Sequence, residues 1–261
     1  NKKICSDRVL RTNNLSDLVP TLLDSSENFY KYKFVHADLL SDTVTLVKFI
    51  NLLSWVDKNL WIKKEDSNYK SNALSFYKDK TIKRIDKFLD KYNIEDKYDI
   101  INGVTVPTAK ELISQVDFES LIGKEPTGFH GDFILDNILI NDEKFVLIDW
   151  RQDFNGSIDA GDMNYDLAKL NHNLTLEHEV LSKGMFTIDI KDEIVCDVFI
   201  RNTRLECKKH LKNFCENKGI DFSVIETLSS IIWMNMSPLH EHPLDIFLYY
   251  FGKYNLYLNL K

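Results

Sequence analysis

Apolar residues recur at helical spacing in two long stretches of the front half of the chain. Leu46, Val47, Ile50, Leu53, Val56 and Leu60 do so within Thr43 to Trp61, and Leu74, Tyr77, Ile85, Phe88, Leu89 and Tyr92 within Asn68 to Tyr92. A period of 3.6 places such residues on one face, so each stretch predicts an amphipathic helix. Ser41 and Asp42 offer N-cap oxygens to the first, and residues 63–67 form the loop between the two. Ahead of them, Tyr30 to Leu40 is rich in aromatic and β-favouring residues and predicts a strand, and Leu18 to Leu23 predicts a shorter one. Residues 1–42 therefore read as a small β-containing unit, and residues 43–261 as a larger helical one.

Further along, Asn102-Gly103 is a turn signal and Thr108 to Val116 a short helix. The pattern then changes to two brief apolar runs, Ile138 to Ile140 and Phe145 to Ile148, bridged by Asn141-Asp142-Glu143-Lys144. Runs this short fit strands, and the bridge fits a hairpin. Beyond Asp162 the periodicity returns to helical over Met163 to Leu174, Ile194 to Cys215, Phe222 to Met236 and Leu244 to Leu258. The expected fold class is α+β: some β at the front, a helical body, and a β-hairpin in the middle.

Composition adds exclusions. The chain has 261 residues, 44% of them hydrophobic, which is enough for a substantial core. Its longest apolar stretch, Thr43 to Val56, is interrupted by Lys48 and Asn51 and falls short of the ~20 apolar residues of a membrane span. Asn1 to Leu10 lacks the apolar centre of a signal peptide, and Asn1 in place of Met predicts that the chain begins inside a longer reading frame. Four cysteines in a chain of this length lack the density of a disulfide scaffold, so a reducing cytoplasm is expected.

Charge concentrates. The chain carries 33 basic and 40 acidic side chains for a net charge of −7, and residues 130–170 alone hold nine acids against three bases. Several of these carboxylates adjoin apolar strand-like runs, where ionised groups need a cation or hydrogen bonds to offset desolvation. Divalent metal binding is the natural expectation. The remainder is close to neutral and offers no electrostatic footprint for nucleic acid, and Lys63 to Lys91 mixes both signs as a solvated helix face does. His240-Glu241-His242 lies in a loop beside prolines, and Cys207, His210 and Cys215 lie along one helix where they do not converge on one ion, so neither predicts a metal site.

The segment FHGDFILDNILINDEKFVLIDW, Phe129 to Trp150, holds the chemistry: His130-x-Asp132-x4-Asn137, then Asp149 at the end of the next apolar run. Phosphoryl transfer requires a carboxylate to orient the attacking hydroxyl and oxygen ligands to hold Mg²⁺ against the nucleotide phosphates. Asp132 suits the first task, and Asn137 with Asp149 the second. A neutral amide oxygen completes a shell without adding negative charge near the phosphates.

These residues resemble the catalytic loop and metal-binding segment of the aminoglycoside phosphotransferase and choline kinase superfamily, small-molecule kinases with a protein-kinase-like fold. GDMNYDLAKL, Gly161 to Leu170, resembles that family's following helix start. The resemblance implies Asp132 as catalytic base, Asn137 and Asp149 as metal ligands, His130 as a brace of the catalytic loop, and Asp166 as the acceptor of that loop's backbone hydrogen bonds. It further implies that Phe34, Val35, His36 and Ala37 form the hinge that receives the adenine, with Leu139 and Ile148 as apolar surfaces for the base. Trp150, Arg151 and Asp162 are candidate substrate contacts, Trp150 being equally suited to core packing. Trp233 and the aromatics Phe247 to Phe251 have core spacing, in the region where that family builds its acceptor pocket. More loosely, Ile101-Asn102-Gly103 and Pro238-Leu239-His240 resemble kinases of bacterial surface-sugar and choline pathways.

The chain departs from the family pattern at its front. That family places a glycine-rich turn and a phosphate-gripping strand lysine before the hinge; Asn1 to Asn28 contains no Gly, and Lys31 and Lys33 lie on the hinge strand itself. The resemblance thus implies a helical large lobe bearing the hairpin and a truncated remnant of the small lobe. The expected activity is Mg²⁺-dependent transfer of the γ-phosphoryl group of ATP or GTP to a hydroxyl of a small molecule, a sugar or an amino alcohol such as choline. The alternative is a non-catalytic kinase-like module that binds nucleotide or serves as a scaffold.

Overall fold

Where the sequence pattern predicts a β-containing front, the chain opens with a helix, α1 (Lys2–Leu15). The computed structural model describes residues 2–142 and 144–261. Glu143, in the expected hairpin turn, lies outside the described residues, as does Asn1. α1 escaped the pattern because its buried positions are Cys5, Asp7, Arg11 and Leu15: two of the four are charged, so no apolar stripe marks the face.

The predicted strand Tyr30 to Leu40 breaks into pieces. β1 (Leu22–Ser25) and β2 (Tyr30–Tyr32) pair antiparallel, and β3 (Asp38–Leu39) follows after an irregular stretch. The first long helix is also divided, into α2 (Leu40–Thr43) and α3 (Leu46–Asn59). Ser41 and Asp42 therefore lie inside α2, and the cap of α3 is Thr45, whose side chain accepts from the Lys48 N–H at 3.3 Å. α3 buries Phe49, Leu52, Leu53 and Val56. α4 (Tyr69–Tyr92) follows the predicted span.

β4 (Asp99–Ile101) and β5 (Val104–Val106) form a hairpin around Asn102 and Gly103, whose φ values of 48° and 77° are those of the two-residue turn that matches strand twist. α5 (Ala109–Gln115) starts with a capping box between Thr108 and Glu111. β6 (Ile138–Asn141) and β7 (Lys144–Leu147) make the central hairpin, and α6 (Met163–Thr175) follows. The predicted helix Ile194 to Cys215 is corrected: after α7 (His178–Ser182), β8 (Phe186–Ile190) and β9 (Ile194–Val198) form an antiparallel pair, and the helix, α8, spans only Asn202–Asn217. Ile194 and Cys196 of β9 are buried while Val195 and Asp197 are exposed, a period of two that a helical reading of Ile, Val and Val absorbs. α9 (Phe222–Met236) and α10 (Leu244–Asn259) close the chain.

The chain divides into two compact units, Asn1–Ala73 with Ile122–Leu170, and Leu74–Leu121 with Asn171–Lys261. Residues 1–42 thus belong with the central hairpin, a different division from a boundary at residue 42. The first unit holds a three-stranded sheet ordered β3-β6-β7. The second holds the sheet β5-β4-β9-β8, in which β4 runs parallel to β9. Within that second unit α10 supplies Lys253, whose buried ammonium donates to Asp99 at 2.6 Å and to the Lys97 carbonyl at 2.8 Å. Tyr249 of the same helix stacks on Phe88 with ring centroids 4.3 Å apart. The architecture is α+β with small sheets. The four cysteines are free and buried. Among the described residues no helix is long and apolar enough to cross a membrane.

Candidate functional site

The open end of the β6–β7 hairpin organises the first unit. Its register pairs Ile138 with Leu147 and Leu139 with Val146. One step further out, the Ile148 N–H donates to the Asn137 carbonyl at 2.9 Å. The ladder therefore sets Asn137, just before β6, opposite the start of the segment that carries Asp149, just after β7. Alternation puts Ile138, Ile140, Phe145 and Leu147 in the core and leaves Leu139, Val146 and Ile148 half-buried on the other face. Leu139 and Ile148 thus share a face, to which the structure adds Val146.

The loop before Asn137 is held at its backbone. Asp166, on the first turn of α6 and fully buried, accepts from the His130 N–H at 2.7 Å, the Gly131 N–H at 2.7 Å and the Trp61 indole N–H at 3.2 Å. Gly131 takes φ +87°, and a Cβ there would lie 2.6 Å from the Arg151 Cβ, so only glycine fits. His130 is buried with both ring nitrogens engaged: Nδ1 accepts from the Asp132 N–H at 3.2 Å, and Nε2 lies 3.0 Å from the Ile148 carbonyl. These contacts assign the Nε2–H tautomer. Burial pushes the imidazole pKa down to about 4, so the ring is neutral at pH 7. Burial pushes the Asp166 carboxyl up to about 6 against the opposing pull of its N–H donors. The Arg151 N–H returns to the His130 carbonyl at 3.0 Å, tying the Asp149 segment to the Asp132 loop.

Lys169 and Asn137 hold Asp132. Its Oδ1 pairs with the Lys169 ammonium at 2.8 Å, while the Asn137 amide nitrogen donates to its Oδ2 at 3.2 Å and to its backbone carbonyl at 2.9 Å. The amide nitrogen of Asn137 is thereby committed, and its oxygen is the half that can meet a metal ion. Asp149 sits in the left-handed region at φ 53°, its side chain 55% exposed, with Oδ1 on the Arg8 guanidinium at 2.8 Å. The donor set of an Asn oxygen and an Asp carboxylate is hard and neutralising, as Mg²⁺ requires. Among the described residues no group of three or more His, Cys, Asp or Glu side chains can hold an ion by itself. The remaining ligands would come from phosphate and water, the usual pattern for Mg²⁺.

Other expected site residues are placed differently. Phe34, His36 and Ala37 line a cavity of about 640 Å³ with Lys48, Ile140 and Phe145, so it adjoins the core-facing residues of the hairpin, not Leu139 and Ile148. The Asn141 amide donates to the His36 carbonyl at 2.9 Å, which draws this stretch to β6; Val35 does not line the cavity. Trp150, equally suited by sequence to a substrate wall or to core packing, is packed in the core: it is 1% exposed, lies against Tyr30 and donates from its indole N–H to the Arg8 carbonyl at 2.9 Å. Asp162 is likewise buried, accepting from the N–H groups of Gly123 at 3.0 Å and Asn164 at 2.9 Å, which leaves it bracing backbone. Arg151 turns its Nε to the Asp153 carbonyl at 3.0 Å.

Three basic residues escaped the sequence reading. Lys169 follows Asp166 by three positions on α6, a same-face spacing that could have exposed it. Arg8 and Arg11, on α1, carry no local signal. Arg11 is buried, lies over the Phe129 ring at 3.8 Å, and donates to the carbonyls of Phe129, His130 and Arg151.

Comparison with known proteins gives little sequence likeness: no family model matches the chain, and no curated protein does. Solved structures similar to it include two of glucosamine kinase. One is glucosamine kinase in a crystal form designated B, with TM-score 0.44, 11% identity, and coverage of 98% of this chain and 68% of that one. The other is glucosamine kinase in complex with glucosamine, ADP and inorganic phosphate, with TM-score 0.48, 10% identity, and coverage of 98% and 67%. The functional reading rests on the side-chain geometry of this chain alone.

Proposed function

We propose that this chain has a protein-kinase-like fold and is a cytoplasmic phosphotransferase. It moves the γ-phosphoryl group of ATP or GTP to a hydroxyl of a small molecule, a sugar or an amino alcohol. The observation that carries this reading is the convergence of Asp132, Asn137 and Asp149 at one end of the β6–β7 hairpin, on a loop whose backbone Asp166 and His130 hold. Such a reaction asks little covalent chemistry of the protein and depends on positioning and electrostatics.

Asp132 orients the acceptor hydroxyl and takes up its proton as the oxygen attacks phosphorus. Lys169 and the Asn137 amide fix the rotamer of that carboxylate, and the ammonium favours its ionised form. The Asn137 oxygen and the Asp149 carboxylate would hold Mg²⁺, which neutralises charge on the transferring group. Bracing by His130 and Asp166 maintains the mutual placement of these groups without reorganisation during the reaction.

Calorimetric titration of a non-hydrolysable ATP analogue, together with ADP release over a panel of sugars and amino alcohols, tests the assignment. Asp132→Asn is expected to lose at least about 100-fold in turnover, the scale of a general base, while binding the analogue nearly as the parent does. Asp149→Ala is expected to lose the Mg²⁺-dependent part of that binding. Full turnover by the Asp132→Asn protein sinks the proposal.

A further inference from the structure

Asp149 already has a cation beside it. Arg8 Nη1 donates to Asp149 Oδ1 at 2.8 Å and to the Tyr30 hydroxyl at 3.4 Å. The backbone of the same residue is fixed by Trp150, whose indole donates to the Arg8 carbonyl. Side chain and main chain of Arg8 are therefore tied to Asp149 and Trp150, the second and third residues after β7. Asp149, more than half exposed, is a weak reason to hold a long cationic side chain in place, since an exposed ion pair contributes little.

The guanidinium is also under-used. Among the described residues Nη1 makes all of its hydrogen bonds, and Nε is buried with no partner. A guanidinium carries five N–H donors in a planar fork, suited to two oxygens of one phosphate or carboxylate. One nitrogen anchored on a site carboxylate, with the rest of the fork unmet, describes half of a bridging arrangement. Lys169 is not free to meet an incoming phosphate, because it is committed to Asp132 and its side chain is only 10% exposed.

We infer that Arg8 is a phosphate-binding residue of the site: with Nη1 resting on Asp149 and Nε buried, it presents the two N–H donors of Nη2 to the polyphosphate of the bound nucleotide. This deepens the phosphotransferase reading and rests on it. A polyphosphate brought to a metal ion on Asp149 comes within reach of the guanidinium that already touches that carboxylate. Charge-assisted N–H···O bonds to phosphate are among the stronger polar contacts, and Arg supplies them in pairs. The ligand class is a nucleoside di- or triphosphate, read at its phosphates and not at its base.

The test compares a non-hydrolysable ATP analogue with adenosine, each titrated with Mg²⁺ into the parent chain, Arg8→Gln and Asp149→Ala. Arg8→Gln is expected to weaken the analogue by about tenfold or more and to leave adenosine unchanged. Equal analogue binding by Arg8→Gln and parent overturns the inference, as does an equal loss for analogue and adenosine, which would mark a structural role. Should Asp149→Ala alone weaken the analogue, the phosphotransferase reading survives and the role of Arg8 falls. Should neither variant weaken it, both fall. A measurement on the unaltered chain guards against misfolding of the variant: phenylglyoxal labelling of Arg8, followed by peptide mass spectrometry, is expected to slow with the analogue and Mg²⁺ but not with adenosine. An unchanged labelling rate at saturating analogue overturns the inference.

Discussion

His130 commits both ring nitrogens to backbone, accepting from the Asp132 N–H and donating to the Ile148 carbonyl, so protonation would cost it the first of these bonds. The linkage follows from the lowered pKa. The unfolded chain takes up a proton on this ring near pH 6.5, whereas the folded chain refuses it until about pH 4. The contribution of His130 to stability is therefore present above pH 6.5 and is lost as pH falls through that window, about 3 kcal/mol in all. Asp166 runs the other way: its raised pKa of about 6 makes its contribution fully present below the ordinary carboxylate range and lost as pH rises past 6. The two slopes oppose each other between about pH 4 and 6. A His130→Gln chain keeps only the Asp166 slope, so its stability deficit relative to the parent should shrink by about 2 kcal/mol between pH 7 and pH 5. Urea unfolding at the two pH values measures this, and a deficit independent of pH would contradict a neutral buried imidazole.

At the scale of elements, what was legible and what was not divide along a physical line. The central hairpin, α4, α5, α9 and α10 announce themselves because each buries one regular face, or nearly every face, of apolar residues. The Asp132, Asn137 and Asp149 trio is legible because one loop and one hairpin carry it within 18 residues of sequence. Arg8 and Asp149 meet across 141 residues, and no local spacing reports such a contact. α1 is illegible for the same reason: its fit is polar, with Asp7, Arg11 and Leu15 four apart on the buried side. Arg11 holds it, donating to three carbonyls of the two loops it touches, and its guanidinium stays charged at pH 7 although burial lowers its pKa to about 10. Arg11→Met retains the aliphatic bulk and removes every donor, leaving buried carbonyls unmet. Its expected cost is about 3 kcal/mol in unfolding free energy, with faster amide exchange over residues 2–15 than elsewhere. A loss under about 0.5 kcal/mol would show that α1 is held by its apolar contacts instead.

Over the whole molecule, every residue of the candidate site, from Arg8 through the hairpin to Lys169, falls in the unit made of Asn1–Ala73 and Ile122–Leu170. The stretch with the densest acidic excess lies there too: residues 130–170 hold nine acids against three bases. A polyphosphate meets repulsion from that stretch, which Mg²⁺ and the cations beside Asp132 and Asp149 would have to offset. Binding should therefore depend on metal and leave its mark on this unit first. Hydrogen exchange with a non-hydrolysable ATP analogue at about 100 times its Kd tests this, since a ligand at that excess stabilises the state that binds it by about 2.7 kcal/mol. Slowed exchange is expected in peptides spanning residues 2–15 and 128–151, present with Mg²⁺, absent with a chelator, and absent in Asp149→Ala. Peptides from β8, β9 and α8, which hold none of these side chains, should change far less. Protection confined to that second unit, or indifferent to Mg²⁺, would place the nucleotide away from Asp149 and remove the physical basis for assigning the Asp132 loop to phosphoryl transfer.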